Sequence, residues 1–146
     1  MNATDIAVNR LITEEGYRQY PYNDATGSRV SCLPGGNLSW LIGLNLETSG
    51  SIELAKVIVQ YLVNKLNEQF KVFWWYGALD DARLSVIIDL AFNMGMNGLL
   101  HFPKMLAAIG AQNWQSAHDE LLDSDAARML PKRYQALAQI LLSGIA

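Results

Sequence analysis

The sequence predicts an α+β fold, in which a small β-hairpin lobe is joined by a long helix to a larger all-helical lobe. Three observations predict it. From Tyr17 to Gly50, aromatic and β-branched residues are punctuated by Pro21, Asn23-Asp24, Gly27, Pro34-Gly35-Gly36-Asn37 and Gly43, which is strand-and-turn chemistry. From Ser51 onward that punctuation stops and apolar residues recur at helical spacing. The chain has 146 residues, 51% of them hydrophobic, which is enough for one domain with a true core. The predicted division is a single domain 1–146, with a hairpin lobe at about 13–50 and a helical lobe at about 51–146 that also takes the first helix, 1–12.

Taken in order, Thr4 or Asn2 can cap the first helix, whose Ala7, Val8, Leu11 and Ile12 share one face. Glu14 and Glu15 end it and Gly16 stops it. "RVSCL" and "LSWLI" flank "PGGN" and read as a hairpin. "SIELAKVIVQYLVNKLNEQF" places Leu54, Ile58, Leu62 and Leu66 four residues apart, so it reads as one long helix, with Glu53 near its positive end. "LDDARLSVIIDLAFNMG" is apolar nearly all round after Arg83 and belongs at the centre of the core, with Gly95, Asn97 and Gly98 breaking it. "FPKMLAAI" and "NWQSAHDELL" read as short amphipathic helices meeting at Gly110, and Pro131 opens a last helix that runs through Leu142.

Several functions are excluded or disfavoured. Fourteen acidic residues against eleven basic ones give a net charge of −3, and no basic stripe suits duplex nucleic acid. Cys32 is the only cysteine, so no internal disulfide and no cysteine-based metal site can form. Cys32 as a nucleophile needs His101 or His118 as base, both in helical stretches far along the chain; the plainer reading is a small half-buried residue. Those two histidines give no ligand triad, so neither metal nor other cofactor is expected. The N-terminal residues lack a basic start followed by an apolar run and do not read as a signal peptide. No run of eighteen or more apolar residues appears, so no stable membrane insertion is expected. Trp74-Trp75-Tyr76 reads as core, with a sugar-stacking platform as the alternative, and Met94, Met96, Met105 and Met129 read as packing residues.

A cleft between two lobes is a common place for a substrate site. Glycoside hydrolysis calls for two carboxyls, one protonated and one ionised, and Glu15 at a helix end with Asp24 in a turn is a candidate pair, although the spacing by itself is one that any acidic surface offers. The stretch "LITEEGYRQYPYNDATG" resembles the opening of the phage-type lysozymes, the muramidase family of tailed-phage endolysins. Leu11, Ile12, Glu15, Gly16, Arg18, Tyr22, Asp24 and Gly27 match its pattern, and the Glu-x8-Asp spacing is kept. "LDDARLSVIIDLAFNMG" resembles the family's central helix, including the ending at Phe92, Asn93 and Gly95, and the later helices follow in order over nearly the whole chain. The resemblance implies a lysozyme-like fold, Glu15 as general acid, Asp24 as second carboxylate, and Arg133 as the base beside the catalytic Glu. It also implies substrate contacts at Asn45, Phe92, Asn93 and Met105. Glu14 falls outside the pattern and reads as a solvated helix-end charge.

The family motif Thr-Ile-Gly-x-Gly-x-Asn-Leu is altered here. Its ungapped position holds Val30, and the better match starts nine residues later at Ser39, with Gly43 and Asn45-Leu46 in place. Ser39 then takes the role of the water-positioning Thr, with a freer rotamer, and Ser31 is its competitor. Trp40 replaces Ile, Leu41 replaces a Gly, and Ala126 stands near a place where the family often has Trp. The expected function is hydrolysis of the β-1,4 bond between N-acetylmuramic acid and N-acetylglucosamine in bacterial peptidoglycan, leading to cell lysis. The alternatives are a catalytically weakened binding or structural module and a lysozyme lobe of a larger phage or toxin assembly. The expected partner is peptidoglycan alone, bound by a monomer. The protein is expected to be made in the host cytoplasm and to act in the periplasm or cell wall after release.

Overall fold

A computed structural model of the chain describes residues 2–15 and 52–146, the side chains of Glu15 and residues 52–55 excepted. The described elements are α1 (Ala3–Glu15), α2 (Ile52–Phe70), a single 3-10 turn (Tyr76–Ala78), α3 (Asp81–Leu100), α4 (Pro103–Gly110), α5 (Trp114–Leu122), α6 (Asp125–Met129) and α7 (Pro131–Ser143). No strand occurs among the described residues, so the structure is all-α there and the α+β expectation is corrected. β-Branched runs such as "KVIV" and "SVII" sit inside α2 and α3. Their packing against neighbouring helices decides their state, and the weak strand propensity of Val and Ile does not. The expected hairpin, "RVSCL" with "LSWLI", lies outside the described residues.

α3 is the axis of the structure. Leu84 to Ala91 are buried without interruption, because α1, α2 and α7 cover it from different sides. Ile87, Ile88 and Leu90 are at most 1% exposed, and each such side chain contributes about 1.5–3 kcal/mol by leaving water. α1 lies beside α3 in the same direction. Asn2 caps α1 by accepting from the Asp5 amide, and the Ala3 amide donates to Asp81 Oδ1 at 3.2 Å. Ala3, Ala7, Val8 and Leu11 form its buried face. α7 runs back along α3. Near its end the Leu141 and Leu142 carbonyls accept from the Arg83 guanidinium at 2.8 and 3.1 Å, and that guanidinium also stacks 4.0 Å over the Trp114 ring and pairs with Asp80.

Three local readings are refined. Gly95 does not end α3; it kinks it, at φ 75° and ψ 166°, and the helix resumes to Leu100. No neighbour would touch a Cβ at Gly95, so the backbone conformation itself, closed to L side chains, requires glycine there. The 3-10 turn divides the aromatic run: Trp75 is buried between Phe70 and Phe73, while Trp74 is 70% exposed and rests on Gly110, where a Cβ would meet its ring at 1.8 Å. Met129, expected to pack, is exposed at the end of α6, a one-turn helix capped by Ser124.

Candidate active site

The carboxyl end of α1, the middle of α3 and the start of α7 meet at one place. Pro131 at the first turn of α7 fixes the chain for helix entry, and two residues on Arg133 reaches back across α3. Its Nη2 donates to Asp89 Oδ1 at 2.8 Å and forms an ion pair with Glu14 Oε2, also at 2.8 Å. Glu14 is therefore not the solvated helix-end charge expected from sequence; its side chain is 27% exposed and ion-paired. The reason is the pitch of α1. Arg10 and Glu14 lie one turn apart and both face the seam between α3 and α7.

Asp89 sits beneath this pair and is fully buried. Its Oδ1 accepts from Arg133 and, at 3.2 Å, from Asn93 Nδ2, which also bonds the Asp89 carbonyl at 2.8 Å one turn back. Its Oδ2 faces Arg10 Nη1 at 3.7 Å, too far for a hydrogen bond, and both of these buried atoms make none among the described residues. Arg10 Nη2 is held at 3.1 Å by Ser85 Oγ, whose hydroxyl donates to the Ala82 carbonyl. Tyr134, next to Arg133 and buried, has its phenol pushed above its ordinary value by burial, against the opposing pull of Arg133 and with a further push from Asp89. The cluster thus alternates charge from inside outward: Asp89, then Arg133, then Glu14.

The sequence-predicted residues divide into two groups. Glu15 is the last residue of α1, adjoining Glu14, and its side chain is outside the described set. Asp24, Ser39 and Asn45 lie outside the described residues, as do Ser31 and Cys32. Arg133 stands at the α1 end as described. Asn93 bonds Asp89 in the same cluster, and Phe92 beside it is partly buried against the core. Met105 is fully buried in α4 and forms part of the inner wall of a cavity of about 640 Å³. That cavity opens between the kinked end of α3, the start of α4, the end of α5 and α6, with Lys104, Glu120 and Arg128 on its rim and Phe102 inside. No group of three or more His, Cys, Asp or Glu suited to a metal ion occurs among the described residues. No helix among them is long and apolar enough to cross a membrane.

Sequence reasoning passed over Asp89 and Arg10. The signal was present in "SVIIDLAF": one acid inside a run apolar on every side has to be buried and therefore paired. Compared with protein-family models and with curated proteins, the chain has no match in either.

Proposed function

We propose that this protein is a muramidase, a glycoside hydrolase that cuts the β-1,4 bond between N-acetylmuramic acid and N-acetylglucosamine in bacterial peptidoglycan. The observation that carries this reading is the ion pair between Arg133 and Glu14. That pair brings a guanidinium to Glu14, the residue before Glu15 at the end of α1, and this supports the reading. In this reading Glu15 protonates the leaving glycosidic oxygen. Asp24, ionised, activates a water on the opposite face of the sugar with the help of the Ser39 hydroxyl. Displacement by water then inverts the anomeric centre, which needs the two carboxyls about 6.5–9.5 Å apart. Asn45, Phe92, Asn93 and Met105 line or support the glycan groove, and no cofactor takes part. The protein works as a monomer, is made in a host cytoplasm, and reaches the wall after release.

A second reading, a binding module with weakened turnover, is favoured by one feature of the sequence: Trp40 and Leu41 stand where the lysozyme pattern has Ile and Gly. One experiment separates the two. Purified peptidoglycan is incubated with wild type and Glu15→Gln, and new reducing ends are counted. The muramidase reading expects rapid release by wild type and loss of roughly a hundredfold or more in the variant, the scale of general acid catalysis. Equal digestion by both removes Glu15 from the chemistry. Tight binding without release by wild type favours the module.

A further inference from the structure

We infer that Asp89 is a positioning residue: buried in the middle of α3, it holds Arg133 in place and sets the charge at the carboxyl end of α1, where Glu14 and Glu15 stand. The effect on turnover rests on the muramidase reading; the effect on Glu14 does not.

Three features of the cluster point this way. First, a carboxylate in a segment that is otherwise apolar apart from Ser85 is a poor device for stability alone, since well-packed apolar residues do as well or better at such sites. Second, the same Arg133 nitrogen serves both carboxylates at 2.8 Å, so Asp89 fixes from inside the group that Glu14 meets from outside. Third, the contact with Arg10 is left incomplete. Arg10 Nη1 and Asp89 Oδ2 face each other at 3.7 Å with no hydrogen bond, although buried polar groups are almost always satisfied. What this arrangement does achieve is charge balance, two guanidiniums against two carboxylates among the described side chains. Among the described residues, the groups facing Asp89 are Arg10 from α1 (itself held by Ser85), Arg133 and Tyr134 from α7, and Asn93 from α3 itself. α2, also packed on α3, sends no charged side chain to it among the described residues.

Asp89→Asn tests the idea because it keeps shape and, through Oδ1, both the Arg133 and the Asn93 hydrogen bonds. It removes one negative charge, so among the described side chains of the cluster two guanidiniums are then balanced by Glu14. The Glu14 carboxyl, followed by carbon NMR, is expected to titrate about one unit lower than in wild type, the shift a nearby charge gives. The alkaline limb of the turnover profile moves down in the same sense, because a more positive surrounding takes the Glu15 proton at lower pH. Arg10→Gln combined with Asp89→Asn restores the balance and is expected to return both readings to wild type. A purely structural Asp89 predicts a lower melting temperature with an unmoved Glu14 midpoint, and losses that add in the double variant; either result overturns the inference. Should Asp89→Asn fail to fold, the double variant decides alone: a wild-type midpoint supports the inference, and a shifted midpoint or an unfolded chain overturns it. If wild type releases no reducing ends, the muramidase reading falls, and the Glu14 midpoint still decides for or against Asp89.

Discussion

Two arginine junctions tie α7 to α3, and they are built in opposite ways. At one end Arg83 gives its donors to the last carbonyls of α7, lies flat on Trp114 and meets Asp80 on its own helix. Its hydrogen bonds go to groups that a helix end leaves unpaired in any case, so the junction is a clasp. At the other end Arg133 enters a seam with a buried carboxylate below it and a partly exposed one above it, and a neighbouring arginine there is short of a full contact. The clasp uses one guanidinium, paired with Asp80, to satisfy backbone. The seam assembles four charges among the described side chains, and their mutual balance matters more than their sum. The same residue type thus closes the fold at the start of α3 and meets two carboxylates, Asp89 and Glu14, at its middle.

The contrast can be broken by experiment. The largest effect is expected from Arg133→Met, which leaves Asp89 buried without its hydrogen-bonding cation. Breaking such a pair costs about 3–5 kcal/mol, to be read as a drop in the denaturant midpoint together with loss of peptidoglycan turnover. Arg83→Met removes two carbonyl hydrogen bonds and a stacked guanidinium, for a loss of about 1–3 kcal/mol. It should leave turnover per folded molecule at the wild-type value. If the two variants lose equal stability and equal turnover, the clasp and the seam are not different devices.

The smallest effect concerns pH. The raised titration of the Tyr134 phenol, caused first by burial, means that the folded state holds that proton more tightly than the unfolded chain. The corresponding stability is complete below the unfolded value near 10 and is lost as pH rises through the higher folded value. Melting temperatures of wild type and Tyr134→Phe, compared between pH 9 and 12, should therefore diverge as pH rises, with the variant falling less steeply. Parallel curves would mean that the phenol ionises without regard to folding.

How much of this was legible in the sequence depends on which physical signal each element carries. The long helix α2 was plain from its apolar spacing, yet its buried side was not. Val57, Tyr61 and Leu62 are exposed while Val63 and Phe70 are buried, because residues apolar on every face leave the choice to the neighbours. Gly95 reads from sequence as a break in the helix, and the non-helical step at Gly95 bears that out, with the chain helical again beyond it. Glycine marks an unusual backbone step, and whether the helix resumes after it depends on what packs beyond. The adjoining Trp74 and Trp75 have opposite fates, fixed by a turn that no periodicity announces. In the candidate site, Glu15 and Arg133 were singled out through motif likeness. Glu14 was misread because a charge at a helix end is usually solvated, and its true partner lies more than a hundred residues away in sequence. The β-rich expectation rested on residues 17–50, outside the described part of the chain, and the described part is helical throughout its regular elements.

The hydrogen bond from the Ala3 amide to Asp81 joins positions 78 residues apart. That single feature orders events during synthesis. α1 leaves the ribosome with an apolar face whose described covers, α2 and α3, are translated only later. At about 5–20 residues per second, several seconds pass in which the nascent chain carries this face without them. Closing so long a loop is entropically unfavourable and is rewarded only once the receiving surface exists. Arg133 is made later still, so Asp89 and Glu14 are joined through it only after α7 has begun to emerge. The acidic end of α1 meets Arg133 only once α7 has been made, and any chain interrupted before α7 exposes that end without its Arg133 partner.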